Sequence, residues 1–231
     1  MIYIENKKMK EATLLKKHPN SLILDITSKG KQPWVQFSPF YPHSNIPIPP
    51  YKKDVEQKYF SQTVEGIWQG LKVFEGEDID CSKFEIKNME GIKRTTRKFG
   101  KPLGHRYGVD GNKLLDYSTA RKEIYLRAYA WLLENKLCDI VLELKALAEK
   151  QDLVLLDYNT NEDIENYKKP ISHAGLVKRY LFKKYPELAT LVFQRPESKQ
   201  KQKVKKTVTN KAITSKKKKI QTSNNEPSLF N

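Results

Sequence analysis

Apolar residues fall in two kinds of run along this chain. Ser21-Leu22-Ile23-Leu24-Asp25-Ile26 and Leu153-Val154-Leu155-Leu156 are short and continuous, as in strands covered on both faces. Elsewhere the spacing is helical. Val64, Ile67, Trp68, Leu71 and Phe74 predict a helix over 63–74. A second helix, around 88–99, carries Lys93, Arg94, Arg97 and Lys98 and stops at Gly100 with Pro102 beyond. Ser118 or Thr119 caps a long helix through Ile124, Tyr125, Ala128, Trp131 and Leu132, with Asn135-Lys136 as a point of interruption. Two more helices are predicted, one through Ile140, Val141, Leu144 and Leu147 and one over 172–185. Between these lie segments without a regular period. Residues 1–20 are polar and Lys-rich and predict irregular or weakly helical chain; 32–59 is broken by prolines; Leu103 to Gly111 reads as a glycine-rich loop. The pattern predicts an α+β fold: a mainly helical single domain with a small β-sheet.

At 231 residues and 38% hydrophobic, the chain can bury one substantial core. The expected division is a polar segment 1–20, a domain 21–195 and a tail 196–231. No apolar run approaches the roughly 20 residues that cross a bilayer, and the N-terminus lacks an apolar signal centre. The expectation is therefore a cytoplasmic or nuclear protein, neither secreted nor membrane-bound. Cys81 and Cys138 stand far apart, and His18, His43, His105 and His173 are scattered, so no metal site, disulfide scaffold or cofactor is predicted. The net charge of +16 is unevenly spread: from Pro196 onward ten lysines face only Glu197 and Glu226, which is half of the excess. That tail is predicted to be disordered. Its lysines over 199–219, including Lys216 to Lys219, suit nucleic acid, an anionic surface or a nuclear address; a solubilising tail is the plain alternative.

Three segments carry candidate chemistry. On the predicted 63–74 helix, Glu65, Gln69 and Lys72 stand at i, i+4 and i+7, stacking a carboxylate, an amide and an ammonium. Gly66 and Gly70 leave a bare side, for a flat ligand or simply for close packing of another segment. The Gly-rich loop presents His105 and Arg106, and an Arg fork among glycines suits phosphate. The strand at 153–156 delivers Asp157 to an acidic turn that ends in Asp163. Paired carboxylates suit glycosidic cleavage, one facing an oxocarbenium-like transition state and the other orienting water or a leaving group; an Asp placed as Asp157 is more often a turn former than a catalyst. The Trp34 to His43 stretch, with Phe40, offers either a stacking wall for a base or core beneath a loop.

Taken in order, Phe37-Ser38-Pro39-Phe40, Thr63 through Lys72, Gly104-His105-Arg106 and Leu153 through Asp163 resemble the NADAR family, also called YbiA-like, over roughly residues 33–185. The resemblance implies a YbiA-like fold and an N-glycosidase that hydrolyses the bond between a nitrogen and a phosphorylated ribose or ADP-ribose. It implies Glu65 as the main catalytic carboxylate, Asp157 or Asp163 assisting, and Lys72 and Arg106 holding phosphate. Gln69, His105, Phe40 and Trp68 complete the expected binding residues. The chain departs from that pattern where Gly66 replaces the family's His, where His105 splits its Gly-Arg pair, and where its late Trp-Gly is missing. A non-catalytic module binding nucleic acid or ADP-ribose is the competing expectation.

Overall fold

In the computed structural model the described residues are 1–51 and 55–186. The expected tail, its 199–219 nucleic-acid segment and the boundary at 195 lie outside them. The elements in chain order are β1 (Ile2–Asn6), α1 (Glu11–Lys17), β2 (Leu22–Asp25), β3 (Ile46–Pro47), β4 (Phe60–Ser61), α2 (Val64–Gly70), β5 (Lys72–Val73), α3 (Thr96–Phe99), β6 (Gly104–Arg106), β7 (Leu114–Leu115), α4 (Tyr117–Ala120), α5 (Arg127–Asn135), α6 (Cys138–Lys150), β8 (Leu153–Asp157) and α7 (His173–Leu181). A π-helical stretch, Arg121–Leu126, joins α4 to α5 in one rod. The fold is α+β, with helices outweighing three small sheets.

The largest part of the architecture follows from β8. All five of its residues are buried, and it lies between β1 and β2, parallel to both. Leu153 and Leu155 face the main core, which α5, α6 and α7 supply, while Val154 and Leu156 face a smaller cluster capped by Leu14 of α1. Successive strand residues point to opposite faces, so a strand covered twice must be apolar at every position. Burying each such side chain contributes about 1.5–3 kcal/mol over leaving it exposed. Because the three strands run parallel, their carboxyl ends open together: Asn6, Asp25 and Asp157 end them on the same edge.

Two expectations need correction. Residues 1–20 are not irregular; Ile2, buried at 5% exposure, anchors β1 beside β8, and Leu14 anchors α1 over it. The helix over 63–74 ends at Gly70, and Lys72-Val73 then turns into β5 and pairs with β6. The last carbonyls of the helix are taken by other segments, Gly70 O by the Asp80 N–H at 2.8 Å and Leu71 O by the Arg106 N–H at 2.8 Å. The helix around 88–99 likewise shrinks to α3, its last turn, and the cap of the 118 helix is Asp116, whose carboxylate accepts from the Ser118 and Thr119 N–H groups.

The two glycines of α2 settle which use the bare side has. A Cβ on Gly66 would stand 2.6 Å from the Lys83 carbonyl oxygen, and one on Gly70 would stand 2.2 Å from the Phe84 ring. The 3-10 turn Cys81–Glu85 therefore packs directly on the helix, and no ligand has room there. Gly70→Ala is expected to destabilise by about 1–3 kcal/mol through overpacking against Phe84; thermal melting checks this, and an unchanged Tm would contradict the contact.

Candidate functional site

A cleft of about 690 Å³ opens at the carboxyl ends of β2 and β8, between them and α2. Open sheets place ligands at this edge because backbone groups and loop side chains converge there. Thr27 and Ser28 follow β2, Asp157, Tyr158 and Asn159 end and follow β8, and His173 opens α7. Glu65, Trp68 and Gln69 come from α2, Lys72 from β5, and Phe40 from the aromatic-proline stretch. Tyr125 enters from the π-helical stretch, where the wider turn shifts the side chain's register relative to an α-helix.

Thr63 caps α2 by accepting the Gly66 N–H at 2.7 Å, and the Glu65 N–H donates to Pro39 O at 2.8 Å. These two bonds fix the first turn beside Phe40. The Glu65 side chain is buried, and Gln69 Nε2 donates to its Oε1 at 2.6 Å. Gln69 is itself oriented: its Oε1 accepts from Lys72 Nζ at 2.9 Å and from the Arg94 N–H at 3.0 Å. Two donors on the carbonyl oxygen leave the amide nitrogen to face Glu65. Glu65 Oε2 accepts no hydrogen bond from the described residues. Burial pushes the Glu65 carboxyl above its usual range, while the Gln69 bond and the charges of Lys72, Lys93 and His173 pull it back. Lys72 is shifted down, first by burial and then by Arg94 and Lys93, against the attraction of Glu65.

Asp157 lines the same cleft in a different state. Its Oδ2 accepts from Ser172 Oγ at 2.7 Å and the Ala174 N–H at 3.2 Å and meets His173 Nδ1 at 3.0 Å; its Oδ1 accepts from the Tyr158 N–H at 2.7 Å. His173 Nε2 donates to Ile26 O at 3.0 Å. Burial disfavours both charges, yet the mutual attraction and these bonds prevail: His173 is raised and Asp157 lowered from ordinary values. The pair is a positioning device at the cleft wall.

Trp68 forms the floor. Its ring lies 3.8 Å from that of His105, with Tyr117 and Tyr125 edge-on at 5.8 and 5.7 Å. His105 is thus beneath the cleft and not in it; burial, then Lys72, lowers its pKa to about 3, so it packs as a neutral ring. Arg106 is also elsewhere. The predicted loop is strand β6, whose alternation sends Arg106 opposite to His105, where it pairs with Asp78 at 2.6 Å and donates to Gly111 O at 3.1 Å. Asp163 caps its own turn, accepting the Glu165 N–H at 3.0 Å, and borders a separate hollow with Lys122 and Arg179. Of the expected residues, Glu65, Gln69, Lys72, Phe40, Trp68 and Asp157 meet at the cleft; His105, Arg106 and Asp163 do not.

Sequence reasoning put Lys93 and Arg94 on a basic helix and not at this cleft, and it missed Arg121, Tyr125 and His173 as cleft residues. Arg121 is buried at 1% exposure and donates to the carbonyls of Ile164, Asn166 and Lys169, holding the loop after β8. A polar residue at helical spacing with Ile124 and Ala128 was the available signal for it. The Tyr125 hydroxyl keeps its proton, its pKa raised by burial and then by Glu65 and Asp157.

The profile of a family described as of unknown function, DUF6939, matches residues 6–177, and the chain belongs to that family. The match includes every cleft residue named above. No curated protein and no solved structure matches the chain.

The Asp157–His173 pair has a signed pH consequence. The raised His173 contributes stability fully present below its ordinary 6.5 and lost as pH rises through its folded value; the lowered Asp157 contributes stability present above its ordinary 3.8 and lost as pH falls through its folded value. Tm is expected to decline as pH rises above 6.5, and Asp157→Asn, costing about 3–5 kcal/mol, is expected to remove that decline. A parallel decline in the variant would show that the pair does not titrate as placed.

Proposed function

We propose that this member of the family is a hydrolase cleaving the N-glycosidic bond between a nitrogen, of a base or an amine, and a phosphorylated ribose or ADP-ribose. The observation that carries the reading is Glu65: a buried carboxylate on the cleft wall, held by one oxygen through an oriented amide, with its other oxygen unbonded and ammonium groups beside it. Asp157, by contrast, has both oxygens engaged. Burial amplifies the attraction between Glu65 and a developing positive charge, since little water screens it.

In this reaction the C1′–N bond breaks and its electron pair leaves with the nitrogen. Glu65 stabilises the oxocarbenium-like ribose and orients a water, whose oxygen bonds to C1′; of that water's two protons one remains as the new hydroxyl and one reaches the leaving nitrogen. Trp68, Tyr117 and Tyr125 give ring faces and edges for the leaving base or the sugar. The resemblance to NADAR proteins over the Glu65 to Lys72 segment supports the same assignment. Arg106, implied by that resemblance as a phosphate ligand, has no part in it.

Glu65→Gln preserves the shape and the Gln69 contact region but removes the charge. Its turnover of phosphoribosyl amines or ADP-ribosylated adducts is expected to fall on the order of 10²–10⁴-fold with Tm retained, read as base or acceptor release by liquid chromatography with mass detection. Retained turnover would remove Glu65 from the mechanism, and ligand binding without product from the wild type would make the cleft a binding module. A second expectation concerns pH. Because burial raises Glu65, the acid limb of kcat/KM is expected above its ordinary 4.5, and Lys72→Met, deleting a charge that lowers it, should move the limb to higher pH. A limb that stays in place would show that another group sets it.

A further inference from the structure

The segment Ile92 to Thr95 alternates strictly between buried and exposed residues: Ile92 and Arg94 turn inward, Lys93 and Thr95 outward. Arg94 is the anchor. At 2% exposure, its guanidinium lies over Phe74 at 4.8 Å and over Phe99 at 5.1 Å, Nη1 donates to Lys72 O at 2.5 Å, and its N–H holds Gln69. The Arg94 charge is met by the two rings and by Glu77 at 4.0 Å. By alternation, anchoring Arg94 fixes Lys93 and Thr95 on the opposite side, at the cleft rim next to Lys72.

The charges there do not balance. Lys72 is held toward Gln69 and is half buried; Lys93 makes no ion pair with a described residue and lies 5.2 Å over the Phe40 ring. One carboxylate, Glu65, faces both ammonium groups. The remaining cation at the cleft, Arg121, is bound by loop carbonyls and Tyr117. Cations are therefore in excess at one end only, and two hydroxyls, Thr95 and Thr96, stand beside them. Two ammonium groups and two hydroxyl donors on one side match a single terminal phosphate, with four donor groups for its three oxygens.

We propose that Lys72, Lys93, Thr95 and Thr96 form a subsite for the phosphomonoester of the ligand, with Arg94 as its positioning residue. This rests on the hydrolase reading only for the ribosyl part of the ligand. Burial first, then Arg94 and Lys93, lowers Lys72 against the attraction of Glu65, and a second anion beside it would favour its ammonium form.

The test is calorimetric titration of the full chain, in wild type and in Glu65→Gln, with ribose 5-phosphate, ribose and inorganic phosphate. Ribose 5-phosphate is expected to bind at least about tenfold more tightly than ribose, and Lys93→Ala and Thr95→Val/Thr96→Val each to weaken it about tenfold with unchanged Tm. Arg106→Ala, outside the cleft, is expected to bind as wild type. Equal affinity for ribose and ribose 5-phosphate, or an undiminished affinity in Lys93→Ala, would overturn the subsite; so would a loss confined to Arg106→Ala. Phosphate-dependent binding in a protein that releases no product would retain the subsite and reject the hydrolase reading, so the two can fail separately.

Discussion

Asp157 sits at the end of a strand buried along its whole length, and a carboxylate there is tolerable only if its charge is met on every side. Four donors meet it: the Ser172 hydroxyl, the N–H groups of Ala174 and Tyr158, and His173. Each comes from a segment that shapes the cleft. Ser172 and Ala174 bring the start of α7 against β8, Tyr158 begins the loop after it, and His173 reaches on to Ile26 O beyond β2. One buried charge thus ties two parallel strand ends and a helix start at a single point. The opening beside them, lined by Thr27 and Asn159, has its shape because those three ends cannot separate without leaving the carboxylate unpaired.

The same principle, applied with one donor in place of four, gives Glu65 its different character. Gln69 meets one of its oxygens, and Gln69 can do so only because Lys72 and Arg94 occupy its carbonyl oxygen. Burial favours the neutral acid; Lys72, Lys93 and His173 favour the anion. Satisfied Asp157 and half-satisfied Glu65 stand in one cleft, and the difference separates a group that holds the structure from one with an oxygen left to the cleft.

How far this was readable from sequence depends on which periodicity governs each segment. The strands at 22–25 and 153–157 and the helices carrying Tyr125 and Leu144 follow from their apolar runs. β1 did not, because Ile2 and Ile4 are few among lysines and the strand is recognisable only beside its partner. Glu65 and Gln69 meet through true helical spacing. Lys72 reaches Gln69 from a strand, so its expected neighbour is right although the helix carrying it there ends at Gly70. Arg106 and Asp163 were misplaced for local reasons: alternation in a three-residue strand in one case, a carboxylate bound to its own turn in the other. The pairing of Asp157 with His173 bridges separate segments, and spacing carries no signal for it; the burial alternation over 92–95 was the missed one for Lys93.

Gly66 narrows the chemistry further. The position next to Glu65 admits no side chain, since a Cβ would stand 2.6 Å from the Lys83 carbonyl oxygen and 2.8 Å from Ser61 Oγ. A histidine there is excluded by packing. The other protonic groups at the cleft are committed: His173 is bonded through both ring nitrogens, and Tyr125 is held protonated by burial. His105, beneath Trp68, is neutral and buried. Both His105 ring nitrogens lack a hydrogen-bond partner, but they are sealed beneath Trp68; of the carboxyl and imidazole groups that line the cleft among the described residues, Glu65 has an oxygen that accepts no hydrogen bond. The protonation of Glu65 is balanced between burial and neighbouring ammonium charge, and on the proposed reading an anion at Lys72 and Lys93 would weaken the ammonium side of that balance. Were the proposed phosphate to bind there, it and Glu65 protonation would be coupled by electrostatics alone, the anion drawing the carboxyl toward its protonated form.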